Sequence, residues 1–193
     1  TLRALNLAQY FEYSLSLEGE RVECGVFKGF SALLMAQTQR LHDPSFSGQG
    51  FHLVDSFEGL SQPTPADSVS TDNTGNPVYS FKKGFFDVPL EHVKEVTKAF
   101  LDIQMHKGWI PEILNTLPEQ KWAFVHIDVD LYEPTIGCLE YFVPKMVKGG
   151  CIINDDFSSP LFPGGFTAWA DYCKQHELHY AILDSGQSVL ICE

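Results

Sequence analysis

The stretch Lys121–Phe157 decides the fold, and it reads KWAFVHIDVDLYEPTIGCLEYFVPKMVKGGCIINDDF. Two short apolar runs within it, Ala123–Ile127 and Cys151–Ile153, have the length and composition of buried β-strands. Acidic residues follow both runs: Asp128 and Asp130 follow the first, and Asp155 and Asp156 follow the second. The stretch therefore predicts two strands that each end in carboxylates.

The segment between the two runs predicts a helix that stops at Gly149 and Gly150. A strand, a crossover helix and a second strand form a parallel unit. The C-terminal ends of the two strands then lie side by side, so the acidic residues converge on one edge of the sheet. In open α/β sheets, ligands bind at that edge.

The chain upstream predicts a glycine turn at the same edge. The strand Arg21–Val26 leads through VFKGFS into the helix Ser31–Leu41, an order that can cradle a phosphate or a nucleotide. Glu23, Gly25 and Gly29 form the pattern E-x-G-x-x-x-G, and the pattern G-x-G-x-x-G is absent. A tight turn that requires glycine for its backbone geometry explains the pattern almost as well.

The next predicted strand, Phe51–Val54, ends in Asp55. A carboxylate at the end of the second strand can accept hydrogen bonds from both hydroxyls of a ribose. The alternative is a helix N-cap or a solvated acid in a turn. The glycine turn upstream favours the ribose.

The rest of the chain completes an α/β fold. Helices are predicted over Leu2–Leu17, Pro89–Phe100 and Phe166–His176, a helical turn over Ile110–Asn115, and strands over Ile103–His106, Tyr180–Leu183 and Ser188–Cys192. The last two strands fit a closing antiparallel hairpin. Residues 1–193 are therefore predicted to form one α/β domain, a Rossmann-like, mostly parallel sheet with helices on both faces.

Two further segments lie near the predicted ligand edge. Ser61–Ser80 is dense in Ser, Thr, Pro, Asp and Asn and follows Asp55 closely, so we interpret it as a substrate-facing loop; a plain surface loop is nearly as good an explanation. Trp109 follows the short strand Ile103–His106. Its ring could wall a flat ligand, or it could be part of the core.

The carboxylates Asp128, Asp155 and Asp156 form a candidate metal site. Oxygen ligands from two adjacent strand ends suit Mg²⁺ or another hard divalent cation. A bound cation removes the repulsion between the carboxylates and lowers the pKa of a coordinated alcohol. Helix capping is the alternative for Asp128 and Asp156, but it explains the Asp155–Asp156 doublet poorly.

Composition excludes several classes of function. The 193 residues carry a formal net charge of −12, which repels nucleic acid and anionic membrane surfaces. No apolar run approaches the roughly 20 residues of a membrane span.

The five cysteines are an odd number without framework spacing, which predicts reduced thiols and a cytoplasmic location. The chain begins at Thr1 rather than Met, which is compatible with an N-terminal truncation.

Five motifs together resemble the macrocin O-methyltransferase family, class I enzymes that use S-adenosylmethionine in the methylation of natural-product sugars. They are VECGVFKGFS (Val22–Ser31), DSFEGL (Asp55–Leu60), KGWIPEILNTLP (Lys107–Pro118), HIDVDLYEPT (His126–Thr135) and GGCIINDDF (Gly149–Phe157). The resemblance implies a seven-stranded sheet with an antiparallel last strand.

The resemblance also implies roles for individual residues. The cofactor site would comprise Glu23 and Gly25 toward its methionine end, Asp55 at the ribose, Ser56 near the adenosine, and Gly108 and Trp109 beside the adenine, together with Ser31 and Asp128. Asp128, Asp155 and Asp156 would bind Mg²⁺. Asp128 would also be the general base that takes the proton of the acceptor hydroxyl.

These observations favour an O-methyltransferase that acts on a hydroxylated small molecule. Two alternative functions are compared with it. A nicotinamide-dependent oxidoreductase would use Asp55, but it lacks the dinucleotide fingerprint and an evident proton donor. A non-catalytic module with the same fold would not need the carboxylates at Asp128, Asp155 and Asp156. The family resemblance is also compatible with a homo-oligomer.

Overall fold

The computed structural model describes residues 1–193 and contains a seven-stranded sheet. Its strands are β1 (Glu20–Cys24), β2 (Phe51–Asp55), β3 (Gln104–Lys107), β4 (Trp122–Ile127), β5 (Met146–Asn154), β6 (Tyr180–Ile182) and β7 (Ser188–Ile191). They lie in the order β3-β2-β1-β4-β5-β7-β6, where β1 to β5 are parallel and β7 is antiparallel to both neighbours. The predicted mostly parallel sheet with a closing hairpin is confirmed.

Helices cover both faces of the sheet. They are α1 (Leu2–Ser14), α2 (Phe30–His42), α3 (Leu90–Val96), α4 (Tyr132–Phe142) and α5 (Pro163–Gln175). Side chains of β4 alternate between the two faces: Phe124 packs in one core cluster with Phe11 of α1, and Val125 and Ile127 pack in the other with Leu139 of α4. The sheet is therefore buried on both faces, as its apolar strands require.

The glycine pair does not end α4, contrary to the prediction. The helix ends at Phe142, a 3₁₀ turn covers Val143–Lys145, and Gly149 and Gly150 lie inside β5. The sequence signal that stops the helix is Pro144, which has no backbone N–H for the helical ladder.

Three other helix boundaries differ from the predicted ones. α1 ends at Ser14 and α3 at Val96. In both places a hydroxyl donates to a carbonyl of the last turn, from Ser14 to Phe11 and from Thr97 to Val93, which competes with continuation of the helix. α5 begins earlier than predicted, at Pro163, because proline is well tolerated in the first turn.

The predicted polar loop Ser61–Ser80 has local structure of its own. It contains a 3₁₀ turn at Pro65–Asp67 and a two-stranded ribbon formed by Ser70–Thr71 and Pro77–Val78. The carboxylate of Asp72 closes the tip of the ribbon by accepting hydrogen bonds from Thr74 and Asn76.

All five cysteines carry free thiols, as predicted, and four of them are buried. None of the helices combines the length and the hydropathy needed to cross a bilayer.

Candidate functional site

A cavity of about 780 Å³, counted with the open space at its mouth, lies at the C-terminal ends of β1, β2 and β4. Its lining combines carboxylates, glycines and aromatic rings: Gly25, Phe27, Asp55, Ser56, Gly59, Leu60, Ser61, Phe86, Trp109, Ile110, Asp128, Val129, Asp130 and Pro134. The predicted ligand edge is therefore concave.

The glycine turn after β1 presses against the backbone of the acidic strand end. Gly25 has φ +85°, and a Cβ atom there would lie 1.9 Å from the carbonyl oxygen of Asp128. The Asp128 amide in turn donates to the Cys24 carbonyl at 2.8 Å. Only glycine allows both the left-handed backbone and this close approach, so the turn and Asp128 are placed as one unit.

Asp55 lines the cavity and also holds the glycine turn in place. Its Oδ2 accepts hydrogen bonds from the amides of Val26 at 2.6 Å and Phe27 at 3.3 Å, and its Oδ1 accepts one from the amide of Phe57 at 2.7 Å. The alternative that we considered for Asp55, a turn acid, is thus present in the structure. Each carboxylate oxygen has two lone pairs, so Oδ2 is fully used, and a ligand hydroxyl would have to replace the long bond of 3.5 Å that the Ser56 hydroxyl donates to Oδ1.

The other predicted cofactor residues divide into two groups. Ser56 and Trp109 line the cavity with Gly25, Asp55 and Asp128. Gly108 lies behind Trp109, and its amide donates to the Asp55 carbonyl at 2.9 Å. Ser31 is half-buried in the first turn of α2, and Glu23 is fully buried inside the sheet. The last three residues therefore do not line the cavity.

Three carboxylates converge at the acidic edge: oxygen atoms of Asp128, Asp130 and Asp156 all lie within 4.8 Å of one another. Burial raises the pKa of Asp128 and of Asp130 well above the usual range, and the neighbouring carboxylates raise both further. Burial and the charge of Asp155 raise the pKa of Asp156 to about 6. The three groups repel one another whenever they are all ionised.

The donor set fits a hard divalent cation. Oxygen atoms alone surround the point where the carboxylates meet, which suits Mg²⁺. The Oδ2 atom of Asp156 is buried and has no hydrogen-bond partner, a costly arrangement unless something binds there. A cation would satisfy this atom and remove the repulsion within the cluster.

Asp155, the third predicted metal ligand, faces a different set of partners. Its Oδ2 accepts from Arg3 of α1 at 2.5 Å, and its Oδ1 accepts from Gln187 at 2.7 Å and lies 3.6 Å from His126 Nε2. Although burial opposes the change, His126 and Arg3 lower the pKa of Asp155 to about 2. The structure thus groups Asp128 and Asp156 with Asp130 and leaves Asp155 beside the cluster.

Asp130 is the site residue that our assignment from sequence missed. It lines the cavity and has φ +64°, a left-handed conformation that is uncommon outside glycine but tolerated by Asp. The signal was present in the spacing, because Asp128 and Asp130 are two residues apart and residues at that spacing can face the same side of an extended chain.

A buried ion pair supports the acidic edge from below. His126 Nδ1 lies 2.9 Å from Glu23 Oε1, and both side chains are essentially inaccessible. Burial opposes the charged imidazole, but the nearby carboxylate of Asp155 and the bond to Glu23 prevail and raise the pKa of His126 well above its usual value. Glu23, which we predicted to contact the cofactor, therefore contacts His126 instead. His126 in turn lies beside Asp155.

Aromatic rings line the cavity, and one lysine lies close to one of these rings. The rings of Phe27 and Phe86 meet edge to face, with centroids 5.2 Å apart. The ammonium group of Lys83 lies 5.4 Å from the centroid of the Trp109 ring. Leu60, Ser61 and Phe86 all line the cavity, so the chain between β2 and α3 closes one side of it; we call residues 61–88 the covering segment.

Comparison with known proteins agrees with this architecture. A family model described as Macrocin-O-methyltransferase (TylF) matches residues 6–187. The chain is 33% identical, over 72% of its length and 53% of the relative's, to 8-demethyl-8-(2,3-dimethoxy-alpha-L-rhamnosyl)-tetracenomycin-C 4'-O-methyltransferase of Streptomyces olivaceus. It is 30% identical, over 74% of its length and 54% of the relative's, to demethyldecarbamoylnovobiocin O-methyltransferase of Streptomyces niveus. The chain thus spans about half the length of these curated relatives.

A solved structure shows the same fold. The crystal structure of CalS11, a calicheamicin methyltransferase, superposes with a TM-score of 0.78 at 23% sequence identity, over 97% of this chain and 77% of that one.

Proposed function

The chain belongs to the macrocin O-methyltransferase family, and on that premise we propose that it transfers a methyl group from S-adenosylmethionine to a hydroxyl group of a sugar or another natural product. The observation that carries the proposal is the position of Asp128. Its backbone touches the glycine turn at Gly25, and its carboxylate belongs to the three-acid cluster that opens into the cavity. A cofactor held at the turn would therefore lie beside a group that can accept a proton.

The cavity offers a suitable surface for each part of the cofactor. We assign the methionine end to Gly25, the ribose to Asp55, the adenosine to Ser56 and the adenine to Trp109, all of which line the cavity. Gly108 fixes the segment before Trp109 through its bond to Asp55. Glu23 and Ser31 lie outside the lining, so we assign them supporting roles beneath the turn and at the start of α2.

The reaction requires no covalent participation by the protein. The acceptor oxygen displaces the sulfur of the sulfonium group: a carbon–oxygen bond forms, the carbon–sulfur bond breaks, and S-adenosylhomocysteine leaves. The proton of the acceptor hydroxyl passes to a carboxylate. The protein aligns the oxygen, carbon and sulfur atoms and keeps a base within reach.

A divalent cation would be held by Asp128 and Asp156, together with Asp130 or Asp155. When bound, such a cation lowers the pKa of a hydroxyl group that it coordinates. The residues tested should therefore include all four carboxylates. We expect millimolar Mg²⁺ to raise the melting temperature of the protein, and Asp156→Asn to remove that shift. Asp171→Asn, which changes an exposed acid on α5, is the matched control.

Asp128 is our proposed general base, and Asp130 provides the comparison. We expect Asp128→Asn to lower the rate of methyl transfer by roughly 100-fold or more, the range of a lost general base, while S-adenosylhomocysteine still binds. Asp130→Asn should lose less activity. The opposite order of the two variants would transfer the role to Asp130.

The first experiment is a calorimetric titration with S-adenosylhomocysteine, with and without Mg²⁺, beside a titration with NAD. Binding of S-adenosylhomocysteine alone supports the proposal and leads to methyl-transfer assays with glycosylated acceptors of the kinds named for the relatives. Binding of NAD alone would establish the oxidoreductase instead. Cofactor binding without turnover on any acceptor would favour a non-catalytic module.

The remaining proposals concern location and assembly. We propose that the acceptor is a small molecule and that the protein works in the cytoplasm, where its five free thiols would stay reduced. A homo-oligomer is tested by light scattering coupled to gel filtration. The net charge of −12 that this chain carries argues against nucleic acid as a partner.

A further inference from the structure

The covering segment contains a buried carboxylate that does not belong to the acidic cluster of Asp128, Asp130 and Asp156. Asp67 lies at the end of the 3₁₀ turn and is only 4% exposed. Its Oδ2 accepts from the amide of Thr64 at 2.7 Å and from the hydroxyl of Thr64 at 2.9 Å. These bonds stay within the covering segment and shape its turn.

The second oxygen of Asp67 reaches a different part of the molecule. Oδ1 accepts from the backbone amide of Tyr132 at 2.7 Å. Tyr132 is the first residue of α4, and the preceding N-cap position is Leu131, whose side chain cannot accept a hydrogen bond. A carboxylate at this position is favoured by both the free amide and the helix dipole. Asp67 therefore supplies to α4 the cap that its own sequence lacks.

The surroundings of Asp67 are built to admit it. A Cβ atom at Gly164, in the first turn of α5, would lie 1.8 Å from Asp67 Oδ1 and 2.8 Å from the Tyr132 amide nitrogen. Leu131 packs in a small apolar cluster with Leu60 and Phe162. The covering segment, the start of α4 and the start of α5 thus meet at one carboxylate.

This junction is two residues from the acidic cluster. Tyr132 follows Asp130 and Leu131 directly, and Asp130 is held in the left-handed region at φ +64°. Such a conformation persists only where the surrounding structure fixes it. The hydrogen bond from the Tyr132 amide to Asp67 fixes the chain immediately after Asp130.

We propose that Asp67 is a positioning residue that couples the covering segment to the acidic cluster: while its carboxylate bridges Thr64 and Tyr132, the segment lies over the cavity and the turn that carries Asp128 and Asp130 is held in its geometry. The functional part rests on the methyltransferase proposed above; the coupling itself does not.

Two substitutions break the bridge from opposite sides. Asp67→Asn leaves one acceptor oxygen where the native side chain uses two, so it cannot serve both Thr64 and Tyr132. Tyr132→Pro removes the donating N–H together with the ring. Proline is well tolerated at the first helical position, and the ψ of 160° at the preceding residue suits a following proline. Tyr132→Ala controls for the lost ring.

The matched control within the covering segment is Asp72→Asn. Asp72 is an exposed carboxylate that accepts hydrogen bonds from Thr74 and Asn76, so its partners lie in the same ribbon tip. It belongs to the same segment but does not bond to α4.

The first measurement combines hydrogen exchange with limited trypsin cleavage of the free protein. Trypsin cleaves after the exposed Lys82 and Lys83 when the covering segment opens. We expect Asp67→Asn and Tyr132→Pro to accelerate this cleavage roughly tenfold, the effect of losing one cap, and to accelerate exchange in residues 128–136. Tyr132→Ala and Asp72→Asn should leave exchange in residues 128–136 unchanged.

Each other outcome overturns a defined part of the proposal. Faster exchange in residues 128–136 with unchanged cleavage would mean that Asp67 caps α4 but does not hold the covering segment. Faster cleavage with unchanged exchange in residues 128–136 would mean that Asp67 shapes only its own turn. Unchanged cleavage and exchange would mean that the bridge does not hold the segment at all. Both measurements decide the coupling even if no acceptor is ever methylated.

The second measurement is kinetic. With an acceptor in hand, we expect Asp67→Asn to lower kcat roughly tenfold while the affinity for S-adenosylhomocysteine stays within about twofold. A general loss of structure would lower both. An unchanged kcat would limit Asp67 to a structural role.

Discussion

Gly25→Ala tests the contact between the glycine turn and Asp128. The added Cβ atom would lie 1.9 Å from the Asp128 carbonyl oxygen and 2.6 Å from its carbon. Ordinary contact begins at about 3.4 Å, so the two backbones would have to separate by about 1.5 Å. Because both backbone segments follow central strands of the sheet, neither can move without disturbing its neighbours.

The loss in free energy of unfolding that we expect for Gly25→Ala has two parts, which a control variant can separate. A left-handed backbone costs an alanine about 1–2 kcal/mol, and overpacking costs typically 1–3 kcal/mol more. Gly75→Ala isolates the first part, because Gly75 has the same φ of +85° and no atom within 4 Å of the added Cβ. We therefore expect the free energy of unfolding to fall by about 2–5 kcal/mol for Gly25→Ala and about 1–2 kcal/mol or less for Gly75→Ala.

The assay is thermal and urea unfolding of both variants beside the wild type. For a chain of this size, 1 kcal/mol corresponds to about 2–4 °C in Tm, so the overpacking part alone predicts a difference of about 2–12 °C between the variants. Gly25→Ala should also weaken binding of S-adenosylhomocysteine, and Gly75→Ala should not. Equal melting temperatures would refute the inference that the turn and Asp128 are tightly packed.

Three further predictions concern single side chains. Asp55→Asn should lower the free energy of unfolding by about 1–3 kcal/mol, because at least one backbone N–H loses its acceptor; it should also reduce the rise in Tm that S-adenosylhomocysteine causes, and an unchanged rise would sink the ribose assignment. Asp130→Asn should raise Tm by roughly 2–4 °C in metal-free buffer, since it relieves repulsion worth about 1 kcal/mol, and should weaken the effect of Mg²⁺; a lower Tm would contradict the like-charge argument. Burial lowers the pKa of His52, and burial and His52 lower that of His106, so unfolded imidazoles bind protons that the folded ones resist and stability should fall as the pH drops below about 6.5. His106→Gln should flatten this loss in urea unfolding at pH 7.5 and 5.5, and an equally steep loss in the variant would assign it to other groups.

The strand ends at Asp55 and Asp128 could be predicted from sequence because their signal is local. A short apolar run followed by an acid identifies a buried parallel strand and its C-terminal end at once. The topology then follows from the rule that such ends share one edge. The cavity lies where these residues predicted it.

The cluster of carboxylates was less predictable because strand ends do not reveal where side chains point. Asp155 and Asp156 are neighbours in sequence, and neighbouring side chains in an extended chain point to opposite sides. Asp156 faces Asp128 and Asp130, whereas Asp155 bonds to Arg3 and Gln187. No local pattern indicates those two partners.

The role of Asp67 could not be found from sequence for a similar reason. Its bond to Tyr132 spans 65 positions, and the composition of the covering segment predicts only a polar loop. The mistaken helix stop at Gly149 was different, because Pro144 was present and the glycine pair was simply the stronger conventional signal.

The partners of Asp155 have a consequence for synthesis of the protein. The Arg3 side chain leaves the ribosome long before Asp155, but Gln187, the other partner, follows 32 residues later. At roughly 5–20 residues per second, a nascent chain carries Asp155 for about 2–6 s before Gln187 has been added. The exit tunnel of the ribosome still encloses the most recently added residues during that interval, so Asp155 emerges with Arg3 and His126 already available and Gln187 close behind. The order of translation thus makes the closing of the acidic edge a late event, which joins the first helix to the turn before the last strand.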